Sequence, residues 1–226
     1  MAPRRQRSLF PPQRRRPRPK AAHDGRPVSR IPHRRRPRLD GHYPVHVTVR
    51  LRDGLPNLRR RDVYTVLRRA FRLGKDRFHF RLAHFSVQHH HVHLICEAPT
   101  ATALSRGMQG LGIRIAKGVN RLRHGEGTVF RERYHAHELR TLTETRRALR
   151  YVARNDHHHG NVSADFTGRI DPCSSFYFWA PDQGRGLFSD EELPVMTART
   201  DHLKAALRLE LGLKGPPLQQ SGTARA

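Results

Sequence analysis

The stretch that decides the fold is His89-His90-His91-Val92-His93-Leu94-Ile95-Cys96. Side chains on a β-strand alternate between two faces, so His91 and His93 share one face while Val92, Leu94 and Cys96 share the other. Two imidazoles held side by side on a rigid surface suit a divalent metal, since histidine is the commonest metal ligand. Downstream, Tyr151-Val152-Ala153-Arg154-Asn155 reads as helix, with Tyr151 and Asn155 one turn apart on one face. A phenol and an amide oxygen are thereby expected to reach one centre together.

Working outward, Val45, Val47, Val49 and Leu51 alternate with His46, Thr48 and Arg50, the pattern of a half-buried strand. Val63, Val66, Leu67, Ala70 and Phe71 recur at helical spacing and predict an amphipathic helix over 58–73, with Gly74 placed to end it. A second strand runs from Phe78 to Val87 with less regular alternation, and the histidine strand occupies 90–98. Leu104, Met108, Leu111, Ile115, Val119 and Leu122 form the apolar seam of a long helix over 101–123. Thr128–Arg140 reads as a further strand, and Thr141 with Glu144 has capping-box spacing, opening the helix that contains Tyr151. The order is β-α-β-β-α-β-α. Its first six elements have ferredoxin-like connectivity, an α+β fold with an antiparallel sheet and two helices on one face. The tyrosine helix is left to cover the other face, where His46, Thr48 and Arg50 join His91 and His93. His46 reads first as a half-exposed polar strand residue, and second as a neighbour of the site or a phosphate contact.

The net charge of +25 and pI near 11.7 imply a polyanionic partner, nucleic acid before all others. Residues 1–38 hold 14 Lys/Arg against one acid and eight of the sixteen prolines, which predicts a disordered basic arm. The remaining +12 belongs to residues 39–226, so the body is basic in its own right. Two cysteines, Cys96 and Cys173, cannot build a disulfide framework or a cysteine-rich zinc site. There is no secretory apolar segment and no run of membrane-spanning length, so a cytoplasmic protein without membrane contact is expected. The organisation expected is an arm (1–38), a catalytic domain (39–160) and an extension (161–226) with a short helix near 201–211.

Taken singly, these motifs are weak. Histidine runs bind metals adventitiously, helix tyrosines mostly pack with the hydroxyl at the surface, and a lone Asn155 reads as a helix C-cap. The combination on a basic ferredoxin-like scaffold resembles the HUH-superfamily single-tyrosine transposases, particularly their REP-associated branch. The resemblance covers His42 to Ser175. It rests on His91-Val92-His93-Leu94, on Val129-Phe130-Arg131-Glu132-Arg133-Tyr134-His135, and on Leu149-Arg150-Tyr151-Val152-Ala153-Arg154-Asn155. The chain departs from the family at His89-His90, where Pro-Asn is common, and at Asp156, where the usual continuation is Asn-Pro. By position, the resemblance implies metal ligation by His91, His93 and Asn155 and a nucleophilic role for Tyr151. It implies Mg²⁺ or Mn²⁺, although two imidazoles also accept Zn²⁺, Ni²⁺ or Cu²⁺. It further implies a hairpin-forming single-stranded DNA partner and a monomer or homodimer.

The reaction implied is transesterification through a 5′-phosphotyrosine bond, which conserves bond energy and needs no nucleoside triphosphate. Glycine-rich phosphate loops are absent from the sequence, in keeping with this. The base that removes the tyrosine proton stays open among water, metal hydroxide and a neighbouring histidine. A catalytically inactive DNA- or RNA-binding protein on the same scaffold is the alternative, and a histidine-based metal-handling protein is a weaker third. Deleting residues 1–38 removes +13 and no candidate catalytic group. Isotherms on single-stranded oligonucleotides at several salt concentrations should show the log–log salt slope falling by roughly 3–6 units, with hairpin discrimination retained. An unchanged slope would make the arm a bystander.

Overall fold

The structure, a computed structural model, describes residues 38–155, 171–179 and 193–210. The arm, the His157–His159 run, Asp156, Gly212 and the last residues lie outside that description. Strand β1 (Val45–Arg50) is followed by helix α1 (Arg61–Gly74), the short β2 (Asp76–Arg77), β3 (Phe80–Val87) and β4 (His91–Glu97). Helix α2 (Ala101–Leu122), β5 (His135–Glu138) and helix α3 (Leu142–Ala153) complete the expected sequence of elements. A 3-10 turn (Ser175–Trp179) and helix α4 (Asp201–Glu210) follow. The sheet order is β2-β3-β4-β1-β5, antiparallel throughout, which is the ferredoxin-like arrangement with one added edge ribbon. No described helix is long and apolar enough to cross a membrane.

The alternation read in the sequence sorts the two faces of the sheet. Val45, Val47, Val49, Val92, Leu94 and Cys96 join Leu67, Phe71, Leu104, Leu111 and Ile115 of α1 and α2 in the larger core. Ile95 and Ala83 face the other way and pack with Leu149 and Val152 of α3 and Leu203 and Ala206 of α4. All seven residues of β4 are buried, as befits a central strand covered on both faces.

Three expectations need correction. The irregular second strand is interrupted: Phe78 and His79 form a two-residue turn, and a bulge falls between Leu82 and His84. One extra residue resets the alternation, which is why Leu82 and Phe85 share the larger core at a spacing of three. The strand expected over Thr128–Arg140 pairs fully only at His135–Glu138, with a single bridge from Phe130 to Leu51. The pairing Leu51↔Phe130 and the pairing Thr48↔His135 differ by two residues in register, so the charged Arg131-Glu132-Arg133 segment arches away from β1. An apolar cavity of about 350 Å³ lies beside that arch, lined by Val49, Leu94, Met108, Ile115 and Phe130 among others. Gly74 is the last helical residue rather than a left-handed cap, and the cap position, Lys75, keeps right-handed φ and ψ. Its lack of a side chain lets Leu111 of α2 approach instead.

The segments after residue 170 are built into this body. Glu97, at the end of β4, accepts hydrogen bonds from the backbone N–H groups of Arg199 and Thr200 and from the Thr200 hydroxyl. This carboxylate sits at the N-terminus of α4, where negative charge is favoured. At the other end of α4, Glu210 accepts from Arg146 and Arg150 of α3. Near the start of β4, Arg59 makes a two-pronged ion pair with the fully buried Asp171 and also donates to the Val87 carbonyl.

Close packing of α2 on the sheet and on α1 depends on glycine at two points. A Cβ on Gly107 would stand 2.1 Å from the Phe80 ring, and one on Gly118 would stand 2.3 Å from Val66. Gly107→Ala should therefore lower stability by about 2 kcal/mol through overpacking, despite the better helix propensity of alanine. Urea unfolding checks this, and a stabilised variant would show that α2 can shift freely.

Candidate functional site

The site forms where β1, β4 and α3 meet on the second face of the sheet. In the register, Thr48 stands opposite His93 and Arg50 opposite His91, while His46 lies two residues from Thr48 on the same face. His46 Nε2 and Thr48 Oγ1 each lie 3.2 Å from His93 Nδ1. The other ring nitrogen, Nε2, lies 3.3 Å from the Tyr151 hydroxyl. The His91 and His93 rings meet edge to face at 4.8 Å between centroids, and the His93 and Tyr151 rings do so at 4.9 Å. His91, His93 and Tyr151 are only 5%, 6% and 8% exposed. The site lies under α3.

Helix α3 delivers the phenol because its start is fixed. Thr141 and Glu144 form the complete capping box expected from their spacing, each side chain accepting from the other's backbone N–H. From that start, Thr145, Ala148, Leu149, Tyr151 and Val152 fall on the buried face. Leu149 and Val152 lock the helix against Ile95, and Tyr151 is carried over His93.

Asn155 is placed differently from the expectation. The helix ends at Ala153, and Arg154 leaves helical geometry with φ −126° and ψ 28°. Tyr151 and Asn155 are therefore not successive positions on one continuous helical face. Asn155 is fully buried, and neither its Oδ1 nor its Nδ2 has a hydrogen-bond partner among the described residues. Leaving such groups unpaired costs about 1–3 kcal/mol each, so this carboxamide calls for a partner beyond the described side chains. The cap of α3 is Arg154, not Asn155.

The donor chemistry fits a divalent cation. Two imidazoles stand side by side on one strand, and a buried carboxamide oxygen with no partner among the described residues follows the tyrosine helix. Among the described residues no group of three or more histidine, cysteine or acidic side chains converges. A site here would therefore use neutral donors and an amide, leaving the ion's charge uncompensated. His46 is not a further donor of this kind, because its Nε2 is turned to His93.

His46 is the residue that sequence reading undervalued. Strand parity put it on the correct face, but pairing register alone shows that it reaches His93. Its pKa is pushed down to about 4, chiefly by burial and then by the neighbouring charge of His137, so it is neutral at neutral pH. Ser86, opposite His93 on β3, is also buried there and accepts a hydrogen bond from the Gln88 amide. Tyr134, the other tyrosine in the resembling segments, belongs to the opposite side of the sheet, where its hydroxyl pairs with Ser105 of α2.

Comparison with known proteins agrees with this architecture. No protein-family model matches the sequence, and no curated protein does. Among solved structures, a REP-associated tyrosine transposase bound to a REP hairpin matches with TM-score 0.50 at 23% identity. The match covers 74% of this chain and 92% of that one. The chain shares that transposase's fold. At this identity the likeness speaks for the arrangement of elements, so the chemistry must be argued from the residues.

Burial of neutral histidines has a consequence for stability. His84, held by Ser175 and stacked on Phe176, is also pushed down, to about 3, by burial. The unfolded chain protonates its histidines near 6.5, before these two can take a proton in the folded state. Stability is then full above about pH 6.5 and falls with pH, by roughly 2 kcal/mol per group at pH 5. Urea midpoints at pH 7 and pH 5 should differ accordingly, and His46→Gln should remove about half of the difference. Equal midpoints for the unaltered protein would show that these histidines protonate in place.

Proposed function

We propose that the protein nicks and joins single-stranded DNA by transesterification, with Tyr151 as the nucleophile and His91, His93 and Asn155 as the ligands of a divalent cation, Mg²⁺ or Mn²⁺. The observation that carries this reading is the 3.3 Å approach of the Tyr151 hydroxyl to His93 Nε2, with His93 Nδ1 held from behind by His46 and Thr48. That approach sets a phenol oxygen directly against a proposed ligand histidine. The charge of +25 supplies the affinity for a polyanion, and the proposed catalytic unit is residues 39–160. The match to a transposase bound to a REP hairpin supports a nucleic-acid partner.

The residues divide the work as follows. With the proton of His93 on Nδ1, the ring donates towards Thr48 Oγ1 or His46 Nε2, and its Nε2 lone pair faces the phenol. Such backing of a ligand histidine by an outer hydrogen bond fixes its tautomer and ring orientation. Neutral His46 suits that role because it can accept. The phenol, which titrates near 10 in water, must lose its proton before attack; with the His93 Nε2 lone pair given to a bound cation, that proton would leave to solvent. The Tyr151 oxygen then bonds to the scissile phosphorus and the 3′-oxygen leaves, giving a 5′-phosphotyrosine and a 3′-hydroxyl. Attack by a second 3′-hydroxyl reverses the exchange and restores the tyrosine. A divalent cation, when bound, would stabilise charge on the phosphate oxygens and favour the phenolate. Covalent catalysis of this kind splits one hard displacement into two easier ones.

The decisive experiment incubates the full chain with a labelled single-stranded hairpin oligonucleotide and Mn²⁺, and looks for a denaturant-resistant adduct. Tyr151→Phe should abolish the adduct while DNA affinity stays within about twofold, since the ring still packs. His91→Ala and His93→Ala should each remove metal-dependent cleavage, with Asn155→Ala less severe. An adduct formed by the Phe variant would reassign the nucleophile. Full activity of the double histidine variant in chelator would remove the metal from the mechanism. Binding without any adduct in the unaltered protein would favour the inactive binder instead.

A further inference from the structure

The turn between β2 and β3 places a bulky aromatic residue where the hairpin demands left-handed backbone. Phe78 and His79 both have positive φ, 57° and 62°, and Arg77 pairs with Phe80 on either side. A two-residue turn of this kind favours Asn-Gly, because left-handed backbone crowds a Cβ. For a bulky aromatic residue it is a true outlier. Backbone held in sparsely populated conformations clusters at ligand clamps and other functional positions.

Burial does not account for the ring. Phe80, the next aromatic, is fully buried under Gly107 and serves the core, whereas Phe78 is 50% exposed. The Arg106 guanidinium lies over the Phe78 ring at 4.6 Å from its centroid. Arg114, two turns along α2, folds back to donate to the Gly110 carbonyl, beside the edge of the same ring. Arg77 and His79 are exposed at the tip, and the neighbouring acid, Asp76, is paired with Arg81. An open aromatic ring set among guanidinium groups is the arrangement that binds single-stranded nucleic acid, with stacking for the base and cations for the backbone.

We propose that the Phe78–His79 turn is a base-stacking contact, in which Phe78 receives an unpaired nucleobase while Arg106 and Arg114 engage the adjoining phosphates. This rests on the reading that the chain handles single-stranded DNA, and it names a second place where the strand is held. The turn lies at the β2–β3 edge of the sheet, level with the far end of β4. Glu97 lies four positions beyond His93 along that strand, about 13 Å at the usual rise. A base held at the turn therefore belongs to a nucleotide several positions from the one at Tyr151. The Arg106 guanidinium against one face of the ring restrains it in advance, so less side-chain freedom is lost on binding.

The test separates strain from function, using the full-length protein and a labelled single-stranded oligonucleotide. Phe78→Gly removes the ring and suits the positive φ. It should unfold at the same or a higher urea concentration, yet bind about tenfold more weakly. Its salt slope should not change, because no charge is lost, whereas Arg106→Ala should reduce the slope by about 0.7. Phe78→Trp should restore affinity, and Phe78→Asn, which also tolerates left-handed backbone, should behave as the glycine variant does. Adduct formation by the saturated Phe78→Gly complex should match that of the unaltered protein. Unchanged affinity in Phe78→Gly, or a loss of stability with affinity retained, would overturn the proposal and make the ring structural. No oligonucleotide binding by the unaltered protein would overturn this proposal and the proposed function together.

Discussion

The structure turns on a strand that is buried on both faces and polar on one of them. Every residue of β4 is inaccessible, and strict alternation sends Val92, Leu94 and Cys96 into one core and His91 and His93 under α3. Burying imidazoles is costly unless they are hydrogen-bonded. For His93 that cost is met by partners from the two neighbouring elements: His46 and Thr48 from β1 and Tyr151 from α3. This ring is thus satisfied only when sheet register and helix position are both correct. The arrangement that stabilises the histidines is the same one that brings a phenol to them.

Holding α3 in place requires help from further along the chain. Helix α4 packs beside it and is fixed at one end by Glu97 of β4 and at the other by Arg146 and Arg150. The Arg59–Asp171 pair, with the Arg59 bond to the Val87 carbonyl, ties the segment after α3 to the end of β3. In so basic a chain the scarce acids have a pattern. Glu97 and Asp171 are buried in structural bonds, and Glu210 joins two helices. These acids are committed to the scaffold, and the proposed ligands beside the phenol are neutral. That division suits chemistry on a phosphodiester, where neutral ligands preserve the full charge of a bound cation.

The two sides of the sheet differ in construction. Residues beneath α3 are pre-organised, nearly closed and mutually hydrogen-bonded, the condition for placing reacting groups to within tenths of an ångström. On the other side, α2 carries a row of arginines largely off its apolar seam, and the Phe78 turn stands at its edge in a strained conformation. Strain there is tolerable because the glycine-mediated packing of α2 on Phe80 and Val66 anchors the elements around it.

Local chemistry in the sequence determined much of this. Period-two alternation in Val45–Leu51 and His91–Cys96, helical spacing in α1 and α2, and the Thr141–Glu144 box depend only on near neighbours, and each is realised. The same logic placed His91, His93 and the Tyr151 helix in the polar layer, since strand parity cannot be changed without inverting the core. What it could not supply was register. The pairing of Thr48 with His93, which brings in His46, depends on how two strands distant in sequence slide past each other. The bulge in β3, the two-residue slip beside β5 and the break after Ala153 that separates Asn155 from the tyrosine's helical face are decided in the same way. Each costs local regularity and is repaid by contacts with residues far along the chain, so only the assembled tertiary structure selects it.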